Sequence, residues 1–423
     1  MSTASSPTVA SKKRKIWEEG PGFKSGLTDL GKHINTKTIT AGVIAAIFGC
    51  TGPALVTISA AATAGYTMQD TTTWLFGIYV FGGLISLIMG LYYKMPIVGA
   101  YSIPGASMLG AALIGFTFNE AAASFVMAGV IVLLLGVTGL MGKVMKWLPL
   151  PIVMGMIAGC MLRFGTGIVT STMALPVVCG AALLGFFVLP RLIKKFPPVL
   201  GALLCGVIAL IVTGGLHMEE TTFAYIPPRI IIPHFNVATI LSVSVPLAAL
   251  VVGAENAQAI GVLYAQGYKP PVNAMTVISG FGGIASGLVG AHNANIAGPM
   301  TAICSSEEAG PNKEGRYAAG VVNGICFILF GIFASFAIAF VRVIPSQLIN
   351  VLAGVAMINV LINSFRDGFG SGKCKMGAFA AFAIGASGIS ILSIGSAFWA
   401  LVGGVVISLI VEKKDFDEIH HKN

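Results

Sequence analysis

The chain is predicted to be an all-α polytopic membrane protein of about fourteen transmembrane segments, built as two inverted seven-helix repeats. Three observations carry that expectation. Of its 423 residues 56% are hydrophobic and only 10% charged, against ~25% charged in a soluble domain. Apolar stretches follow one another with short breaks from about Thr38 to Val411, each near the ~20 residues that a spanning helix needs. The two halves also echo one another, and each contains one interrupted segment.

The segments are read at 38–64, 71–92, 98–116, 120–141, 149–170, 173–190, 198–216, 239–263, 273–290, 291–306, 317–341, 345–364, 376–393 and 395–411. The regions are therefore a polar, basic tail (1–37) read as disordered, a first repeat (38–216), a connection (217–238), a second repeat (239–411) and a short tail (412–423). With alternating loops, 22 of the 25 Lys and Arg residues fall on the side of the tails, among them Lys12 to Lys15, Lys94, Lys143, Lys146, Lys194, Lys195, Lys313, Arg366 and Lys422. Only Arg229 and Arg342 fall opposite, and Arg163 is within a segment. That bias places both termini in the cytoplasm. The net charge of +9 is thereby a topology signal, not a nucleic-acid footprint. No apolar run with a cleavage site follows the basic tail, so a cleaved signal is not expected. The seven cysteines are scattered, without a C-x-x-C pair, and read as small buried residues; neither metal nor cofactor is expected.

The internal repeat has an offset of about 200 residues. Ala64-Gly65-Tyr66 recurs as Gln266-Gly267-Tyr268, and Phe81-Gly82-Gly83 as Phe281-Gly282-Gly283. Pro149 with Ala158-Gly159 is echoed by Pro345 with Ala353-Gly354. An odd number of segments per half inverts one half relative to the other, the plan of secondary transporters. In the first half Val98 to Ser107 interrupts the third segment; in the second, Gly290 to Met300 interrupts the tenth. Proline holds its predecessor extended, and Ser102, Asn293 and Asn295 are good helix caps. Each interruption is therefore read as an extended stretch followed by a half-helix. Irregular backbone at that depth is tolerated where it is buried in protein or lines a cavity. Paired interruptions point to a binding site between the halves.

Two half-helix N-termini aimed at one place favour an anionic or carbonyl-rich ligand. Tyr101, Ser102, Gly105, His292, Asn293 and Asn295 cluster there. Singly, a membrane Asn or Ser equally ties two helices together, and Tyr101 is equally a buried ring. His292 is a candidate proton relay because imidazole ordinarily titrates near neutrality. Glu255 is the one acidic residue deep within an apolar segment, in the run from Val243 to Leu263. A carboxylate at that depth costs at least ~2.5–3.5 kcal/mol and is usually kept for a task; the bland alternative is a neutral carboxyl bonded to a neighbouring helix. Gln258 shares its face, and Thr51, before Gly52-Pro53, is its counterpart in the first half.

At these residues the chain resembles the benzoate/proton symporter family. The likeness rests on Ala100-Tyr101-Ser102-Ile103-Pro104-Gly105-Ala106, Gly267-Tyr268 with Pro270-Pro271-Val272, Gly290-Ala291-His292, Thr301-Ala302-Ile303-Cys304 and Arg316-Tyr317. It runs through most of the membrane part, and the family is distantly similar to uracil permeases and sulfate-type anion exchangers. The resemblance implies a core domain from segments 1–4 and 8–11, a gate domain from segments 5–7 and 12–14, and substrate held between the third and tenth. This chain departs from the family pattern in carrying Glu255-Asn256 where a Gln-Asn pair is usual, and Asn293 in place of an aliphatic residue. A glutamate there is shared with nucleobase-type relatives.

The expected function is import of a small aromatic carboxylate such as benzoate with a proton across the inner membrane. Glu255 and His292 would carry the proton, and Tyr101, Ser102, Gly105, His292, Asn293, Asn295 and Asn256 would hold substrate. The alternatives are a nucleobase or inorganic-anion transporter of the same plan and, more remotely, an anion channel. An enzyme is disfavoured because His292 with Glu255 is the one candidate pair and no H-E-x-x-H accompanies it. An ATP-driven pump is disfavoured because Gly370-Ser371-Gly372-Lys373 departs from the Walker pattern. The expected partners are the anion, a proton and the bilayer, with no nucleic acid; a homodimer is compatible with the plan but not read from the sequence.

Overall fold

A computed structural model describes residues 16–139, 149–193, 196–215, 224–392, 394–415 and 418. The basic residues Lys12 to Lys15, Lys143, Lys146, Lys194, Lys195 and Lys422, and part of the predicted 217–238 connection, lie outside the described residues.

Among the described residues seven helices are long and apolar enough to cross a membrane: Thr36–Thr63, Met68–Tyr93, Phe118–Thr138, Leu150–Ala174, Val237–Tyr264, Lys313–Ile332 and Ser346–Phe369. Shorter apolar helices span Ile103–Ala112, Pro176–Leu192, Pro198–Val212, Val272–Leu288 and Ser396–Val411. In chain order we label α1 (Phe23–His33), α2 (Thr36–Cys50), α3 (Gly52–Thr63), α4 (Met68–Tyr93), β1 (Gly99–Tyr101), α5 (Ile103–Ala112), α6 (Phe118–Thr138), α7 (Leu150–Ala174), α8 (Pro176–Leu192) and α9 (Pro198–Val212). There follow α10 (Val237–Tyr264), α11 (Val272–Leu288), β2 (Ala294–Ile296), α12 (Gly298–Ser305), α13 (Tyr317–Ile332), α14 (Ala334–Arg342), α15 (Ser346–Phe369), α16 (Lys375–Ser387) and α17 (Ser396–Val411).

The packing pattern is simple. Helix α6 lies along α11, and α13 along α4 and α2. Separately, α7 packs with α15 and α16, α8 with α9, and α16 with α17. The two sets meet where α15 touches α3, α7 touches α5 and α17 touches the start of α10.

Both interrupted segments begin with a short strand. Strands β1 and β2 pair antiparallel, with Gly99 opposite Ile296, Ala100 opposite Asn295 and Tyr101 opposite Ala294. The pairing satisfies backbone groups that helix would otherwise bond, as burial demands. The repeated Phe-Gly-Gly motif acquires a physical reason here. A Cβ at Gly82 would lie 2.8 Å from Ala100 Cα, and one at Gly282 would press on the Ala294 carbonyl. Each motif glycine thus lets a strand lie directly on its helix. At the Glu255 counterpart, the chain breaks at Thr51 between α2 and α3, where Pro53 enters the first turn of α3.

The amino-terminal segment differs from expectation. Residues 16–37, read as part of a disordered tail, are built onto the end of α4. Trp17 packs edge-on to Tyr92, Tyr93 Oη donates to the Glu18 carbonyl (2.7 Å), and the Glu18 carboxylate accepts from the N–H groups of Asn273 (2.9 Å) and Ala274 (2.8 Å). Lys94 Nζ pairs with Asp29 at 2.7 Å, and Tyr317 Oη donates to the Gly26 carbonyl at 2.8 Å. Charge pattern alone marked this stretch as solvated; its aromatic residues and glycines allow it to dock. On the opposite face residues 224–236 form a strap. Arg229 pairs with Asp70, Asn119 Nδ2 donates to the Ile232 carbonyl (2.9 Å), and Asn236 Nδ2 donates to Glu120 (2.7 Å).

Candidate functional site

The first turns of α5 and α12 start alike, Ile103-Pro104 and Gly298-Pro299, each with proline at the second helical position. Proline lacks an N–H and is pre-set for a first turn, so it leaves the first N–H of each helix as the free donor. Both of these donors face one acceptor. The Gly298 N–H, the Ile103 N–H and the Ser102 hydroxyl all face the Glu255 carboxylate. Ser102 is the N-cap of α5, its Oγ also accepting from the Gly105 N–H at 3.0 Å. Helix α12 has no side-chain cap, and its first N–H faces Glu255.

Two backbone features lie beside Glu255. Residues Val251–Asn256 form a π-helical stretch within α10, a distortion frequent at functional sites. Gly298 allows close approach: a Cβ there would stand 2.6 Å from Cδ of Gln258.

A second network runs beside the first. Trp74 Nε1 donates to His292 Nδ1 (2.7 Å), and His292 Nε2 is 3.0 Å from the Ser102 carbonyl. An indole nitrogen is a donor only, so Nδ1 accepts and Nε2–H donates, which fixes the neutral tautomer. Tyr101 Oη is 2.8 Å from Tyr79 Oη and donates to the Gly49 carbonyl at 3.2 Å. Tyr101, Ser102 and His292 are fully buried.

A cavity of about 520 Å³ opens onto Glu255. Its walls include Ile103, Pro104, Gln258 and Pro299 on one side and Met154, Asn359, Asn363 and Arg366 on the other. Of the residues expected to hold substrate or proton, Glu255 alone lines it. Ser102, Gly105 and His292 stand behind the carboxylate as its scaffold, and Tyr101 buttresses the strand. Asn256 Oδ1 accepts from Ser279 Oγ (3.0 Å), which also accepts from the Ile296 N–H (3.1 Å), so Asn256 anchors β2. Asn295 Nδ2 bonds the Ile296 carbonyl within β2 at 2.7 Å. Asn293 stands apart from both networks, its buried amide against Gly283 with no partner among the described residues. Both His292 ring nitrogens are engaged, so the ring ties Trp74 to the Ser102 carbonyl.

Sequence reasoning missed Trp74, the π-helical stretch and the wall of α15. A signal for the last existed: Asn359, Asn363 and Arg366 are spaced i, i+4, i+7, a polar stripe along one face of an apolar helix.

Spanning helices, two half-helices meeting at a buried carboxylate and a cavity beside it define a polytopic membrane transport protein. Known proteins agree. The chain belongs to the benzoate membrane transport protein (BenE) family, whose sequence profile matches residues 32–410. It is 31% identical over 383 residues to the inner membrane protein YdcO of Escherichia coli K12, covering 90% of this chain and 98% of that protein. It is 26% identical over 373 residues to the benzoate membrane transport protein of Acinetobacter baylyi, covering 88% and 94%. Among solved structures, the transmembrane domain of the cyanobacterial bicarbonate transporter BicA superposes with a TM-score of 0.61 at 18% identity, covering 89% of this chain and 98% of that one. SLC26A9 gives 0.61 at 14% identity, covering 92% and 67%. At such identities the likeness is one of fold. The family is one of membrane transporters, not of enzymes.

Proposed function

We propose that this protein is a proton-coupled symporter importing a small aromatic carboxylate, benzoate or a close analogue, across the inner membrane. The observation that carries the reading is the seat of Glu255. Its carboxylate faces the first N–H of both half-helices, the donors that an anionic cargo would use. Ionised Glu255 and a bound carboxylate therefore compete for the same groups, and at a few ångströms in a low-dielectric site their charges repel. A proton on Glu255 removes one charge and frees an N–H for the cargo. One proton and one monoanion then cross together, electroneutrally, driven by the pH gradient. The partly apolar cavity suits a phenyl ring, and Asn359, Asn363 and Arg366 provide polar contacts on the facing wall.

The architecture fits this role as fourteen segments in two inverted repeats. Helices α2 to α6 and α10 to α14 would form the core, and α7 to α9 with α15 to α17 the gate. Both termini would be cytoplasmic, so the Glu255 cavity, with Arg366 at its mouth, would face inward. His292 serves as a positioning residue, holding Ser102 and hence the α5 terminus. The test is uptake of radiolabelled benzoate into proteoliposomes under an imposed inward proton gradient, with uracil and sulfate as competitors. Accumulation that a protonophore collapses and unlabelled benzoate competes is expected. Uptake of a competitor without benzoate uptake would move the chain to a nucleobase or inorganic-anion role.

A further inference from the structure

A second cavity, of about 510 Å³, lies along the same seam between α5 and α7. The two cavities take successive stretches of these helices. Ile103 and Pro104 of α5 and Leu150, Met154 and Ile157 of α7 line the first, whereas Ser107, Met108, Cys160 and Arg163 line the second. Arg163 is the one charged residue in the second wall. Its Nη2 donates to the Ser107 carbonyl, one turn into α5, and its Cζ lies 5.1 Å from the Phe164 ring centroid. Among the described residues no carboxylate forms an ion pair with it. A guanidinium has five N–H donors, and among the described residues the Ser107 carbonyl is its hydrogen-bond partner. An arginine at membrane depth without a counter-ion is costly and ordinarily marks a substrate or ion pathway.

We infer that Arg163 is an anion-capture site in the vestibule opposite the Glu255 cavity, taking the cargo's carboxylate before it reaches the half-helix termini. A planar guanidinium binds a carboxylate bidentately. The bond from α7 to the Ser107 carbonyl spans the seam that must open for passage, so an arriving carboxylate replaces a carbonyl that the moving helix withdraws. Only the identity of the cargo rests on the proposed function; the capture of anions does not.

Cys160, one turn before Arg163, reports on the vestibule directly. In right-side-out membrane vesicles, its modification by impermeant methanethiosulfonates bearing a sulfonate or a trimethylammonium group is followed by mass spectrometry of the Cys160 peptide. The thiolate is common to both reactions, so their rate ratio isolates the local field. The anionic-to-cationic ratio is expected to fall about tenfold in Arg163→Gln and to be largely kept in Arg163→Lys, given the steering that a single charge exerts in a cleft. Benzoate is expected to slow modification in the unsubstituted protein and not in Arg163→Gln. Ile389, 42% exposed at the rim, gives a variant that leaves buried packing alone: Ile389→Asp is expected to lower the ratio as well. An unchanged ratio in Arg163→Gln or in Ile389→Asp overturns the proposal. A charge preference that needs Arg163 but no protection by benzoate upholds capture and counts against benzoate as the cargo.

Discussion

Glu255 announces itself in the sequence, because one carboxylate amid apolar residues has few reasons to be there. What it faces does not, since Ile103 and Gly298 present backbone N–H groups that carry no residue signature. Replacing the carboxyl with an amide separates charge from shape. Glu255→Gln is expected to retain benzoate exchange while losing proton-driven accumulation by more than about tenfold, measured in the same proteoliposomes. Trp74 is the residue that makes His292 neutral and oriented. Trp74→Phe leaves a buried acceptor unpaired, a loss of about 1–3 kcal/mol. It is expected to lower the thermal midpoint and the uptake rate together, while the pH dependence of uptake stays as before. A change in that pH dependence would return His292 to the proton path.

At the scale of elements, the broken helices were legible because Pro and Gly leave chemical marks. Ile103-Pro104 and Gly298-Pro299 begin half-helices where the interruptions were placed, and the Phe-Gly-Gly echoes lie under the two strands. The π-helical stretch was not legible, since Val251–Asn256 has an ordinary apolar helix composition around its one acid. Nor was α1, whose docking depends on tertiary contacts with Tyr92 and Tyr317. Gly298 offers a direct test of element spacing. Gly298→Ala is expected to cut uptake by about tenfold or more, and Gln258→Ala in the same chain to restore part of it, as contacting sites couple. Additive losses would show that the close approach is unimportant. The α1 anchor bears on pH effects. Beside Lys94 and Lys32, the Asp29 carboxyl is held down from its ordinary 3.8 to about 2. A depressed carboxylate contributes stability that is complete above the unfolded value and lost as pH falls through the folded one. The protection factor of α1 amides, taken against the intrinsic exchange rate at each pH, is therefore expected to be constant from about pH 5 to 8 and to fall only below about pH 4. Any pH dependence of transport near neutrality must then come from elsewhere.

For the whole molecule, composition and the charge bias were enough to read a polytopic membrane protein, and short motifs in a fixed order were enough to read its family. The proposed division of labour across the seam was not. Two cavities on successive stretches of α5 and α7, the first lined by Glu255, Arg366 and Asp367 and the second by Arg163 as its one charge, arise from how α7 crosses α5, and helical spacing along either chain segment does not reveal a crossing. In the proposed mechanism, cargo and ionised Glu255 contend for the same pair of N–H groups. The direct measurement is benzoate affinity of the purified protein between about pH 6 and 9, where benzoate itself stays ionised. One linked proton predicts that affinity weakens with rising pH, approaching about tenfold per unit, and that Glu255→Gln binds benzoate with no such slope. A flat profile in the unsubstituted protein, or the same slope after Glu255→Gln, would contradict the account.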